Sequence, residues 1–169
     1  HLASAKVTRV TPEMPLEGVY AGGNLTGFAD LVLEKGDGSR AVIDMKWSGA
    51  KKYPSKLGDN RHLQLAIYAE MLRQKFTTWP VVGYFILDQG RLFTTDPSWF
   101  PSAEVVRNRT DENTAQLWQR FLETWKWRQG QFKAGLFEVA LEEIAETEDS
   151  IVPDGALAME YLNPAYNDY

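Results

Sequence analysis

Leu25-Thr26-Gly27-Phe28-Ala29-Asp30-Leu31-Val32-Leu33, then Gly36-Asp37-Gly38-Ser39, then Arg40-Ala41-Val42-Ile43-Asp44-Met45-Lys46-Trp47 is the stretch that decides the reading of this chain. Two β-rich runs flank a glycine–aspartate turn, which predicts a β-hairpin over residues 25–47. Side chains alternate along a strand, so Asp44 and Lys46 share one face and Ile43 and Met45 the other. Aspartate is out of place inside an apolar strand, and it occurs twice, at positions 30 and 44. Pairing through the 36–39 turn can bring both acids close on one face. Two adjacent carboxylates repel, so one protonates or a cation stands between them. A hard divalent ion such as Mg²⁺ suits two carboxylates and water. Lys46 beside it can neutralise phosphate charge and help the attacking water. The plainer alternative is structural: Asp30 and Lys46 as an ion pair, with Asp44 capping a turn.

Outward from the hairpin, Val7–Val10 reads as a short strand, followed by an approach containing Pro12 and Pro15. Residues 48–59 read as a basic loop broken by Gly49, Pro54 and Gly58. A helix is expected over 60–76, capped by Asp59 or Asn60. Val81–Leu87 reads as a buried strand, turning at Asp88-Gln89-Gly90 into Leu92–Thr95. Residues 96–109 read as irregular. Thr110 or Asp111 is expected to cap a second helix through about residue 133. Gln64 and Tyr68, four apart, stack on one face of the first helix, with Arg61 on the same stripe. His62, a lone helical histidine beside an arginine, is read as exposed and without a role. Trp125 is read as core, whereas Trp118 and Trp127 fit either packing or base stacking. Strands and helices in this order predict an α/β arrangement with a mixed sheet.

Of the 169 residues, 44% are hydrophobic and 24% charged. This is the composition of one globular domain with a real core. The absence of cysteine excludes disulfides, thiolate metal sites and cysteine nucleophiles. A reducing, cytoplasmic compartment is the plainest setting. The longest near-apolar run, residues 81–87, is too short for a membrane span. A chain opening at His1 is expected to be a piece of a longer protein. The net charge of −5 hides a division: residues 134–169 hold nine acids and no Lys or Arg, whereas residues 1–133 carry a net +4. The domains expected are thus a core over 1–133 and an acidic segment over 134–169, packed on the core or cut from a longer chain. A mildly basic body is compatible with a polyanion. From Lys46 to Arg61 the local net is +4, so Lys51, Lys52, Lys56 and Arg61 are candidate phosphate-backbone contacts, a reading set against that of an ordinary solvated loop.

Gly27-x-x-Asp30, Ile43-Asp44-Met45-Lys46 and Gln64-x-x-x-Tyr68, in that order, resemble the RecB-like branch of the PD-(D/E)xK nuclease superfamily. The resemblance covers residues 25–70. It implies a central mixed β-sheet flanked by helices, the restriction-endonuclease-like core. It further implies that Asp30 and Asp44 ligate Mg²⁺ or Mn²⁺, that the Met45 carbonyl completes the site, and that Lys46 acts on water or phosphate. Gln64 and Tyr68 then lie beside the active site. Two features depart from the branch. An upstream His or Glu ligand has no clear counterpart, since neither Glu13 nor Glu17 matches it, so the isolated chain is expected to be weakly active or inactive. The cysteine-ligated cluster of several relatives is impossible here.

The function these readings imply is metal-dependent hydrolysis of DNA by the nuclease domain of a larger helicase–nuclease or repair protein, with other domains or subunits as partners and no membrane. The alternatives are a nuclease-like module that binds DNA or protein without cleaving, and a metal-free domain held by an ion network.

Overall fold

A computed structural model describes residues 1–136 and 153–157. Most of the acidic segment 134–169 therefore lies outside the described residues. The chain divides into two units, His1–Trp118 and Gln119–Tyr169. In the first, strands β1 (Val7–Tyr20), β2 (Gly23–Lys35), β3 (Arg40–Lys46), β4 (Val81–Ile86), β5 (Arg91–Thr94) and β6 (Glu104–Val105) form one sheet in sequential order. Pairing is antiparallel for β1–β2, β2–β3 and β4–β5, and parallel for β3–β4 and β5–β6. Helices α1 (Lys52–Gly58) and α2 (Leu63–Phe76) make the crossover that a parallel β3–β4 pair requires.

The hairpin forms as its sequence predicts. Leu31, Val32, Leu33 and Glu34 pair with Ile43, Val42, Ala41 and Arg40. Its turn is closed by Lys35 and Ser39, with Gly38 at φ 82° and Asp37 accepting the Ser39 amide at 2.8 Å. β3 is buried on both faces, as the run Ala41-Val42-Ile43 suggests for a central strand. Val42 belongs to the core beneath α1 and α2, with Leu57, Leu65, Ala69 and Leu72. Ala41 and Ile43 face the opposite core, with Leu33, Leu92, Trp99 and Phe100.

Four local expectations are overturned, each for a physical reason. β1 runs to Tyr20 through Pro12 and Pro15, because it is an edge strand and needs no amides on its outer side. The basic loop contains a helix, α1. Pro54 is its third residue, where the amide has no intrahelical partner to lose. Asn60 is not the cap of α2 but the left-handed residue closing α1, at φ 51°: Asn60 N–H bonds the Leu57 carbonyl and Arg61 N–H the Lys56 carbonyl. α2 begins after His62 without a side-chain cap. Helix α3 (Thr114–Lys133) starts later than expected, where Asn113 Oδ1 accepts the Gln116 amide and Gln116 Oε1 accepts that of Asn113. This is the reciprocal capping arrangement. Trp118 is buried, whereas Trp125 is only half-buried and Trp127 carries the Arg128 guanidinium over its ring at 4.3 Å.

His62, expected to be exposed, is 3% exposed, with Nε2 3.1 Å from Thr114 Oγ1. Burial moves its pKa from 6.5 to about 4. The unfolded chain then holds the proton more tightly than the folded one. Its contribution to stability is whole above pH 6.5 and is lost as pH falls towards 4. The loss is on the order of 3 kcal/mol. Urea unfolding across this range should show the wild type losing stability more steeply than His62→Gln; parallel curves would refute the assignment.

Candidate active site

Asp30, Asp44 and Lys46 meet where β2 leaves β3. The β2–β3 ladder stops at Leu31–Ile43, while β3 continues beside β4 to Lys46. Beyond the last pair, the Asp30 carboxylate accepts the Met45 amide at 2.7 Å. Ala29 and Val32, three apart, both pack in the core beneath α2, so strict alternation breaks between them. On the neighbouring β1, Glu13 takes a left-handed φ of 46° between Pro12 and Met14, the partners of Leu31 and Ala29. Asp30 sits at this break.

Asp44 is 1% exposed, with Tyr84 of β4 as its register partner. Lys46 Nζ lies 2.8 Å from Asp44 Oδ2, off the direction of a hydrogen bond, so both carboxylate oxygens are buried without a hydrogen-bond partner. Burial raises the Asp44 pKa, and Asp30 adds to the rise against the opposing pull of Lys46. For Lys46, burial works against the charge, but the Asp44 carboxylate outweighs it and the pKa is raised. The two ends of the pair differ because the carboxylate is nearly inaccessible and the ammonium is about a quarter exposed.

Around this centre, Gln64 Oε1 lies 3.5 Å from Lys46 Nζ, and Gln64 Nε2 donates to Tyr68 Oη at 3.1 Å. A Cβ added at Gly27 would lie 3.6 Å from the Tyr68 ring, which places that ring against β2 three residues from Asp30. The structure therefore gathers Asp30, Asp44, Met45, Lys46, Gln64 and Tyr68. Tyr53 joins them unannounced by the sequence. Its ring faces Lys46 Nζ at 5.6 Å and packs on Tyr84 at 4.9 Å. Gly49, at φ 106°, leaves room for it, since a Cβ there would meet the ring at 2.7 Å. The signal was an aromatic in the first turn of a helix that Pro54 concealed. Lys52 and Lys56 are four apart on α1, Lys51 precedes it and Arg61 follows it. Lys52 Nζ lies 5.6 Å from the centroid of the same Tyr53 ring that faces Lys46.

Two carboxylates, one buried with both oxygens lacking hydrogen bonds, are a hard-oxygen donor set that fits a divalent cation. Among the described residues no group of three or more acidic or histidine side chains is arranged to hold a metal, so neither Glu13 nor Glu17 completes the set. Metal binding should raise the thermal midpoint of the wild type in Mn²⁺ over EDTA, by the mass-action gain of a ligand for the folded state. Asp44→Asn should remove most of that rise, as read by differential scanning fluorimetry. An undiminished rise would place the ion elsewhere.

A family model described as the PD-(D/E)XK nuclease superfamily matches residues 2–148. No curated protein matches the chain.

Proposed function

The chain belongs to the PD-(D/E)XK nuclease superfamily, and on that footing we propose that it hydrolyses DNA phosphodiester bonds with Mg²⁺ or Mn²⁺, as a RecB-like nuclease domain of a larger helicase–nuclease or repair protein. Its sheet and helices form the restriction-endonuclease-like α/β core of that superfamily. The observation that carries the reading is the buried Asp44 carboxylate, close to Asp30 and paired with Lys46 at 2.8 Å. Among the described residues no helix is long and apolar enough to cross a membrane. We assign the activity to the cytoplasm, on the absence of cysteine from the sequence.

Asp30, Asp44 and the Met45 carbonyl would hold the ion, which when bound supplies a polarised phosphate and a more acidic water. The Met45 peptide is fixed for this by the hydrogen bond its N–H donates to the Asp30 carboxylate. Lys46 remains charged beside Asp44 and offsets the negative charge that builds on the phosphoryl oxygens. Gln64 and Tyr53 flank the ammonium and hold its direction. Labelled single- and double-stranded DNA should be cut with Mg²⁺ or Mn²⁺ and spared in EDTA. Asp44→Ala should fall to background. Lys46→Ala should lower kcat by about 10²–10³-fold while DNA affinity changes little. A change confined to KM would make Lys46 an electrostatic anchor only.

The Tyr53 ring of α1 faces Lys46 Nζ at 5.6 Å, which brings the basic residues of that helix near the site. Lys51, Lys52, Lys56 and Arg61 are proposed to follow the phosphate backbone. Neutralising the three lysines together should weaken binding and flatten its salt dependence by roughly one log–log unit per lost contact. An unchanged salt slope would put the DNA path elsewhere.

A further inference from the structure

A cavity of about 460 Å³ opens between the end of α1, the start of β4 and the start of α3, all within His1–Trp118. Asp30, Asp44, Lys46, Gln64 and Tyr68 are not among its lining residues. Its wall includes Asn60, His62, Trp79, Asp96, Glu112 and Thr114, with further polar residues such as Asn108 and Asn113 and with aliphatic side chains. Asn60 is 1% exposed, and its Oδ1 is buried without a hydrogen-bond partner. The orientation of the amide is set by Nδ2, which donates to Glu112 Oε2 at 3.1 Å. The atom left over is thus an acceptor. An unsatisfied buried acceptor of this kind calls for a donor from outside the fold. His62 adds no positive charge near neutral pH, since burial holds its pKa near 4. The Lys56 carbonyl lies near the ring, yet Nδ1 is left without a hydrogen bond.

The charge of the wall points the same way. Asp96 and Glu112 bring two carboxylates, and no lysine or arginine is among the described lining residues. Asp96 Oδ1 is occupied by the amide and hydroxyl of Ser98, and Glu112 takes the Asn60 amide, so both acids are held in place. A phosphate or carboxylate ligand would meet like charge here. A donor-rich cation would meet acceptors and the indole of Trp79, whose ring already has the Arg73 guanidinium 5.7 Å from its centroid.

We propose that this cavity is a binding site for a small organic cation rich in N–H donors, an alkylguanidinium or alkylammonium group, separate from the nuclease centre. The planar guanidinium, with five donors, matches a wall of acceptors better than a single ammonium. Its source is either a free diamine-like molecule or the arginine side chain of a partner.

The test is calorimetric titration of the full chain in EDTA, so that its outcome does not depend on metal or on cleavage. Agmatine and N-acetylarginine amide are the two probes, with adenosine and inorganic phosphate as contrasting ligands. Saturable binding of either guanidinium probe supports the site, and the better one identifies the source. Glu112→Gln and Asp96→Asn, checked for folding by thermal unfolding, should each weaken binding by about tenfold, as expected for loss of a charge-assisted bond. Asn60→Gly keeps the left-handed backbone while removing the acceptor and should weaken it similarly. No saturable binding by either probe, binding of adenosine or phosphate instead, or affinity indifferent to these three variants would overturn the proposal.

Discussion

Where β2 parts from β3, the Asp30 carboxylate receives the Met45 amide at 2.7 Å, while the backbone ladder between the two strands has ended at Leu31–Ile43. A ladder continued to the strand ends would have kept the two strands together beside Asp30 and Asp44. Separation of the strands would normally leave the Met45 N–H without a partner, at a cost comparable to a lost hydrogen bond. The carboxylate removes that cost and is itself fixed in direction. β1 follows β2 away from the sheet's centre, and β4 continues beside β3. The two strands thus part while each remains paired on its other side.

Asp44 is a demanding group to place in this fold. Its carboxylate is buried against a neighbouring carboxylate and its nearest positive charge is not aligned to bond it. A carboxylate buried beside a second one keeps this place because the surroundings over-determine its position. Val42 on the same strand face is fully buried beneath the helices, and Tyr84 beside Asp44 is held by Tyr53. Tyr53 in turn requires the glycine at 49. The core therefore holds a pair of acids close together that solvent would separate, which is the condition for selecting a multivalent cation.

The same principle, polar groups held short of partners by packing, explains the second cavity. Asn60 is committed to closing α1 in a left-handed conformation, and its amide is tethered to Glu112. Its carbonyl oxygen is buried without a hydrogen-bond partner. His62 is kept neutral by the same burial. Neither residue belongs to the site at β3, so the two sites are built from different ends of α1 and its connections.

The order Gly27-x-x-Asp30, Asp44-x-Lys46, Gln64-x-x-x-Tyr68 was legible because each part rests on local periodicity: two for strands, near four for the helix face. The hairpin register was legible too, since a turn at 36–39 and apolar runs on both sides leave one pairing that buries them. The sequence by itself therefore determined the α/β order, the facing acids and the helix that carries Gln64 and Tyr68. Tertiary structure alone decided where β2 and β3 separate, because that depends on a side chain competing with a backbone carbonyl for one amide. Pro54 in the first turn and a left-handed Asn60 at the end of α1 follow local preference, but tertiary structure alone decided that His62 is buried, because its partner Thr114 is distant in the chain. Tyr53 came to Lys46 for the same reason. A residue's reach across a core is set by what packs behind it, and no spacing along the chain records that.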